Sequence, residues 1–212
     1  GLSNLAAGLF ILPFFLFSAT AGQLAEKFDK ARFIRWLKVV EVVIMILASA
    51  GFFLNDRTVL FVSLFLMGTH SAFFGPVKLA ILPQTLTESE LVGGNGLVEM
   101  GTYVAILIGQ IVGALLAVGP LTAYGISMPL GLSLVLTLAS VVGLLTAMAI
   151  PSVAASEPSL RVSLNIFRET VRAFGFAKEN RTVYLSILGN AWFWFLGVLY
   201  LAQLPGFTVN VL

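Results

Sequence analysis

The sequence predicts an all-α polytopic membrane protein with six spanning helices, and three observations carry that expectation. Of its 212 residues 58% are apolar, and the mean hydropathy is +1.00. Only 10% are Asp, Glu, Lys or Arg, against about 25% in soluble domains, too few to cover a water-facing surface of this size. The apolar residues also gather into runs close to the ~20 residues that a helix needs to cross a bilayer core. This composition excludes a soluble globular domain, a disordered chain and a nucleic-acid binder. With no Cys, disulfides, thiolate catalysis and Cys-ligated metals are excluded as well, and His70 is the only His. No metal-ligand set, cofactor-binding loop or nucleophile–base pair is present, so neither a cofactor nor catalysis is expected.

The first run, 2–21, opens the chain inside apolar sequence without a basic flank, which fits neither a signal peptide nor an intact start. A basic loop over 22–35 leads to the second run, 36–54, and a turn at Asn55-Asp56-Arg57 to the third, 59–82. A polar loop over 83–94 precedes the fourth, 95–117, and a Gly/Pro turn over 118–128 precedes the fifth, 129–150. The sixth, 183–204, follows a long segment over 151–182. Gly93-Gly94-Asn95-Gly96 lacks the preceding strand and following Lys-Ser/Thr of a phosphate loop, and reads as a flexible start to the fourth run.

Charge decides orientation. Of the 12 basic residues, Lys27, Lys30, Arg32, Arg35 and Lys38 belong to the first connection, Lys78 to the third, and Arg161, Arg168, Arg172, Lys178 and Arg181 to the fifth. Only Arg57 lies on the opposite side, so the first, third and fifth connections are expected in the cytoplasm. A buried soluble core would not produce this alternation. Within the fifth connection Leu160, Leu164, Phe167, Val171 and Phe174 recur at helical spacing, flanked by Arg161, Arg168 and Arg172. Such a helix lies on the lipid headgroups with its cations against anionic phosphates, or packs on the ends of the bundle.

The first basic connection reads Gly22-Gln-Leu-Ala-Glu26-Lys27-Phe-Asp29-Lys30-Ala-Arg32. It resembles the Gly-x-x-x-Asp-Arg-x-Gly-Arg-Lys loop between the second and third helices of the major facilitator superfamily. Gly22 matches, Glu26 takes the Asp place, Lys27, Lys30 and Arg32 supply cations, and Asp29 departs from the second Gly. The resemblance implies a conformational latch, with Glu26 as its carboxylate and Lys27, Lys30 and Arg32 as partners; the other reading is topology signalling by the basic residues alone.

Residues 68–83 and 93–102 carry a narrower resemblance. Ser71, Pro76 and Lys78, then Asn95, Leu97 and Glu99, are similar to segments of the fourth and fifth helices in the bacterial lysophospholipid transporter branch of that superfamily. Trp192-Phe-Trp194 and Gln203-Leu-Pro205 look like the version fused to acyltransferase and acyl-carrier-protein ligase domains. The resemblance implies a partial superfamily fold, its helices two to seven, with one helix ahead of residue 1. It divides the chain into 1–150 from one half, a cytoplasmic linker over 151–182 and the first helix of the other half over 183–212. It implies inward movement of lysophosphatidylethanolamine and related lysophospholipids across the bacterial inner membrane, for reacylation by a cytoplasmic acyltransferase, fused or separate.

The candidate substrate-binding residues are Pro76, Lys78, Asn95 and Glu99. A Pro inside a spanning helix frees a carbonyl, and an ammonium near it suits a lipid phosphate; Lys78 alternatively snorkels to the interface. Glu99 has Asn95 at i−4, and either pairs with Lys78, meets a headgroup amine or serves structure alone. Apolar walls are expected from Phe73, Phe74 and Trp194. Glu41 is expected to pair with Lys38, and His70 to be a satisfied interior hydrogen-bonder. Gly109-x-x-x-Gly113 loosely resembles the antiporter motif of the fifth helix, but Gln110 stands where its Pro belongs. Two other functions remain open on sequence: proton-driven export of a small solute or drug, and a non-transporting membrane anchor for an acyltransferase.

Overall fold

The computed structural model describes residues 2–118, 125, 127–163 and 165–211, with the side chains of 201–211 and of residues 3, 4, 118, 167 and 198 left aside. Its elements are α1 (Leu2–Lys27), α2 (Lys30–Leu54), α3 (Arg57–Ala80), α4 (Leu82–Thr85), α5 (Glu88–Val118), α6 (Met128–Met148), α7 (Ile166–Glu179) and α8 (Arg181–Val211). No strand occurs among the described residues. Five of these stretches are long and apolar enough to cross a membrane: Leu5–Lys27, Lys30–Leu54, Arg57–Thr85, Glu88–Ala117 and Met128–Met148. The sixth expected run falls on α8, and the Gly/Pro turn over 118–128 lies mostly outside the described residues.

Two expected loops are largely helix. The basic connection over 22–35 shrinks to Phe28-Asp29, because Lys and Arg are good helix formers that carry α1 and α2 beyond their apolar stretches. The polar loop over 83–94 contains α4 and the first turns of α5, so Gly93-Gly94-Asn95-Gly96 lies inside a helix instead of forming a flexible start. Side chains supply the punctuation. Asp29 takes φ −55°, ψ 119° and its carboxylate accepts from the Arg32 amide, so Asp replaces a turn glycine by capping α2. Asn55 ends α2 in the left-handed region at φ 50°, and Asp56 then caps α3 by accepting from the Thr58 and Val59 amides. One short polar pair thus stops one helix and starts the next.

The chain divides into two compact units, Gly1–Leu164 and Asn165–Leu212. In the first, α1 runs along α3, and α2 packs against both α3 and α6. Gly68 allows the α1–α3 approach: a β-carbon there would lie 2.2 Å from the Phe10 carbonyl oxygen. The tightest core is at the end carrying the basic residues, where Ala25, Ile34, Leu37, Val77 and Ala147 meet beneath Phe33, Phe73 and Phe74. By contrast α5 packs thinly against α4 and α6, and Leu97, Met100, Leu107 and Ile108 are exposed along it.

The segment after α6 returns across the basic end, and this explains why the first unit extends beyond residue 150. Arg35 donates to the Ala147 and Ile150 carbonyls at 3.4 and 2.6 Å, capping the end of α6 with a cation. In the second unit Asn165 caps α7 through the Arg168 amide, and Asn180 caps α8 through those of Thr182 and Val183. The amphipathic helix starts at Ile166, so Leu160 is outside it, while Leu164 and the Phe167 side chain lie outside the described residues.

Candidate functional site

Three groups of polar side chains interrupt the apolar surfaces of the first unit. The first joins α3 to α5. Lys78, in the last turn of α3, reaches α5, where its ammonium donates to Thr102 Oγ1 at 3.0 Å and lies 3.9 Å from Glu99 Oε1. Thr102 in turn donates to the Val98 carbonyl at 2.8 Å, which leaves its oxygen free to accept. The ammonium and carboxylate are 25% and 45% exposed, so the pair is open and its charges attract without a direct hydrogen bond. Pro76 lies two residues before Lys78 inside α3 and leaves the Ala72 carbonyl without its helical donor. Asn95 is exposed and donates to the Leu91 carbonyl at 2.9 Å, not to the Lys78–Glu99 pair.

The second group lies deeper, between α2 and α3. Lys38 Nζ donates to Glu41 Oε2 at 2.7 Å, the pairing expected from their spacing. The same oxygen lies 3.4 Å from His70 Nε2, a contact between helices that the sequence does not announce. His70 is 5% exposed, and its ring nitrogens make no side-chain hydrogen bond, the Leu37 backbone being the hydrogen-bonding group within reach. Its ring stacks on Phe74 at 5.7 Å, and Lys38 Nζ sits 4.7 Å from the centre of that Phe74 ring. Phe73 stacks on Phe17 at 5.9 Å. Both Phe73 and Phe74 are therefore engaged in packing at the basic end, and neither is among the walls of the apolar cavity described below.

The third group is the turn between α1 and α2. Among the described residues Glu26 forms no ion pair with Lys27, Lys30 or Arg32. The polar contacts run instead to the segment after α6. Lys30, 1% exposed, donates to Ser156 Oγ at 2.7 Å, and Gln84 donates to the same hydroxyl at 2.8 Å. Ser152 hydrogen-bonds the Asp29 carboxylate, and the Glu157 amide donates to the Glu26 carbonyl at 3.0 Å. Gln23 accepts from the Ser163 amide at 2.7 Å and donates to the Ser163 carbonyl at 3.5 Å. Gly22 is partly buried, with open space where a β-carbon would project. Sequence reasoning missed Gln23, Ser152 and Ser156, since nothing local marks a partner more than 100 residues away; Thr102 was findable, at i+3 from Glu99 on one helical face.

Towards the other end of these helices is an apolar cavity of about 410 Å³, with Ile44, Met45, Phe52, Leu60, Phe61 and Leu64 among its walls. Among the described residues no cluster of acidic, His or Cys side chains fit to hold a metal ion is present.

Long apolar helices, basic residues gathered at one end and charged groups within those helices mark a multi-pass membrane protein. A family model described as transmembrane secretion effector matches residues 5–207, and the chain belongs to this family of the major facilitator superfamily. Proteins named lysophospholipid transporter LplT, from Escherichia coli O139:H28, Escherichia coli K12 and Shigella boydii serotype 18, are each 29% identical to it over 194 residues. These alignments cover 90% of this chain and 45% of each relative, so the chain spans somewhat under half their length. No solved structure matches.

Proposed function

We propose that the protein moves lysophospholipids of the lysophosphatidylethanolamine type from the outer to the inner leaflet of a bacterial inner membrane, where a cytoplasmic acyltransferase restores the missing acyl chain. The observation that carries this reading is the open Lys78–Glu99 pair. Lysophosphatidylethanolamine carries one phosphate anion and one ammonium, and the pair offers one cation and one anion between adjacent helices near the basic end. A headgroup exchanging partners with such a pair keeps both of its charges compensated while it leaves water. Pro76 sets the last turn of α3, and Asn95, i−4 from Glu99, adds an amide at the rim of the site. The apolar cavity between the far parts of α2 and α3 suits an acyl chain. The named relatives support the same substrate class.

The turn over Gly22, Glu26, Lys27, Lys30 and Arg32 serves as the conformational latch, with the 151–163 segment as its strap. In the second unit, exposed Val171 and Phe174 with Arg168 and Arg172 suit α7 to an anionic headgroup surface. The test is reconstitution into liposomes and measurement of inward movement of a labelled lysophosphatidylethanolamine. Movement faster than in protein-free liposomes is expected, and a rate equal to theirs overturns the proposal.

A further inference from the structure

We propose that His70 and Glu41 form an intramembrane proton-binding site, in which protonation of His70 draws the Glu41 carboxylate from Lys38 to the imidazole. The argument starts from a shared acceptor. Glu41 Oε2 is 2.7 Å from the Lys38 ammonium and 3.4 Å from His70 Nε2, so two donors on different helices converge on one oxygen. With His70 neutral, the Lys38–Glu41 pair is closed and compensated. The imidazole is then buried without a side-chain hydrogen bond, a costly state for a polar group away from water. A proton taken up from water turns His70 into an imidazolium with two N–H donors, one of them facing Glu41, and the ring gains a charge-assisted partner.

Lys38 keeps other contacts when this happens. Its ammonium already lies over the Phe74 ring, which stacks on His70, and it borders Gly143 of α6, where a β-carbon would lie 3.4 Å from Nζ. Lys38 released from Glu41 therefore keeps the π-face of Phe74 as a partner for its charge. The other packed elements supply no competing charge. α1 carries Glu26 and Lys27 only at its basic end, and α6 contains no titratable side chain. Among the described residues the groups whose charge acts on His70 are Glu41 and Lys38.

The site also lies on the helix that presents Lys78. His70 and Lys78 are eight residues apart on α3, about 12 Å along its axis. A change of partner at the α2–α3 contact thus bears on the helix that holds one half of the proposed headgroup site. This coupling rests on the transport reading above, whereas the proton site itself does not.

Because His70 is the only His, ¹⁵N-histidine labelling gives one assignable imidazole signal for the protein in liposomes. On titration from about pH 8 to about pH 5, both nitrogens are expected to become protonated. Glu41→Gln should lower the midpoint by about one unit, and Lys38→Met should raise it. An imidazole that stays neutral throughout, or a midpoint that ignores Glu41→Gln, overturns the site. For coupling, the rate of labelled lysophosphatidylethanolamine movement should change several-fold over the same range in the wild type and be flat in His70→Gln. A His70→Gln protein that keeps the wild-type pH profile overturns coupling. A wild-type protein that titrates as described but moves no lipid removes the transport reading and upholds the proton site.

Discussion

Among the described residues of the first unit, two lysine–glutamate pairs are built in opposite ways. Lys38–Glu41 is closed at 2.7 Å, its side chains are 18% and 13% exposed, and aromatic rings and α6 surround it. Lys78–Glu99 is open at 3.9 Å, is more exposed on both sides, and bridges to α5, which packs thinly on its neighbours. A closed pair resists a third partner other than one already touching it, and His70 is that partner. An open pair has ligand capacity left over. The same two residue types thus suit internal proton exchange in one place and headgroup capture in the other, and packing around them makes the difference.

The comparison breaks most visibly where the closed pair is halved. Lys38→Met leaves the Glu41 carboxylate without its ammonium, and a loss of about 3 kcal/mol in unfolding free energy is expected at pH 8, the low end of the range because neither group is fully buried. Thermal unfolding in detergent measures it. The loss should shrink as the pH falls and His70 takes over the carboxylate, and a loss independent of pH would argue against that exchange. Next in size is Gly68→Ala. Its methyl would meet the Phe10 carbonyl at 2.2 Å, a backbone atom that cannot swing aside. Separation of α1 from α3 should cost about 2 kcal/mol, read in the same unfolding assay, and widen the setting in which the closed pair is held.

The open pair should behave in the reverse sense. Lys78→Ala is expected to leave stability within about 1 kcal/mol, as for a solvent-accessible pair, while slowing lysophospholipid movement at least about tenfold through loss of a charge-assisted contact. Flux per inserted protein in liposomes checks it. Equal flux in Lys78→Ala and wild type would make this pair structural and erase the contrast with Lys38–Glu41.

The apolar runs made the spanning helices legible, because hydropathy in a bilayer is a property of single segments. Their ends were not, since Lys27, Lys30, Arg32 and the Glu88–Gly96 stretch extend helices beyond the apolar layer while looking like loop sequence. Lys78 and Glu99 could be matched because each is a lone charge at similar depth on its helix. The meeting of His70 with Glu41 could not, since it depends on the rotation of α3 against α2, which spacing within either helix does not specify. The strap across the basic end was equally hidden. Ser152, Ser156 and Ser163 are ordinary loop residues until folding brings them to Asp29, Lys30 and Gln23.

That strap provides the smallest expected effect, and it separates two pH responses. Partial desolvation is the largest single influence on Asp29 and pushes its pKa up. It is outweighed by hydrogen bonds from Ser152, the Arg32 amide and Val153 together with the Arg32 charge, so the carboxyl is held below its usual range. A depressed folded-state pKa stabilises the folded state fully above the unfolded value, and that contribution disappears as the pH falls through the folded one. The window therefore lies below about pH 4, well under the range in which His70 exchanges partners. Hydrogen exchange of the amides over 152–157 should rise modestly below that pH in the wild type. Asp29→Asn keeps a side-chain cap for α2 and should abolish the acid response, without moving the near-neutral one. If Asn at 29 instead flattened the near-neutral transport profile, the proton would be sensed at the strap, and the closed Lys38–Glu41 pair would be left with a purely structural part.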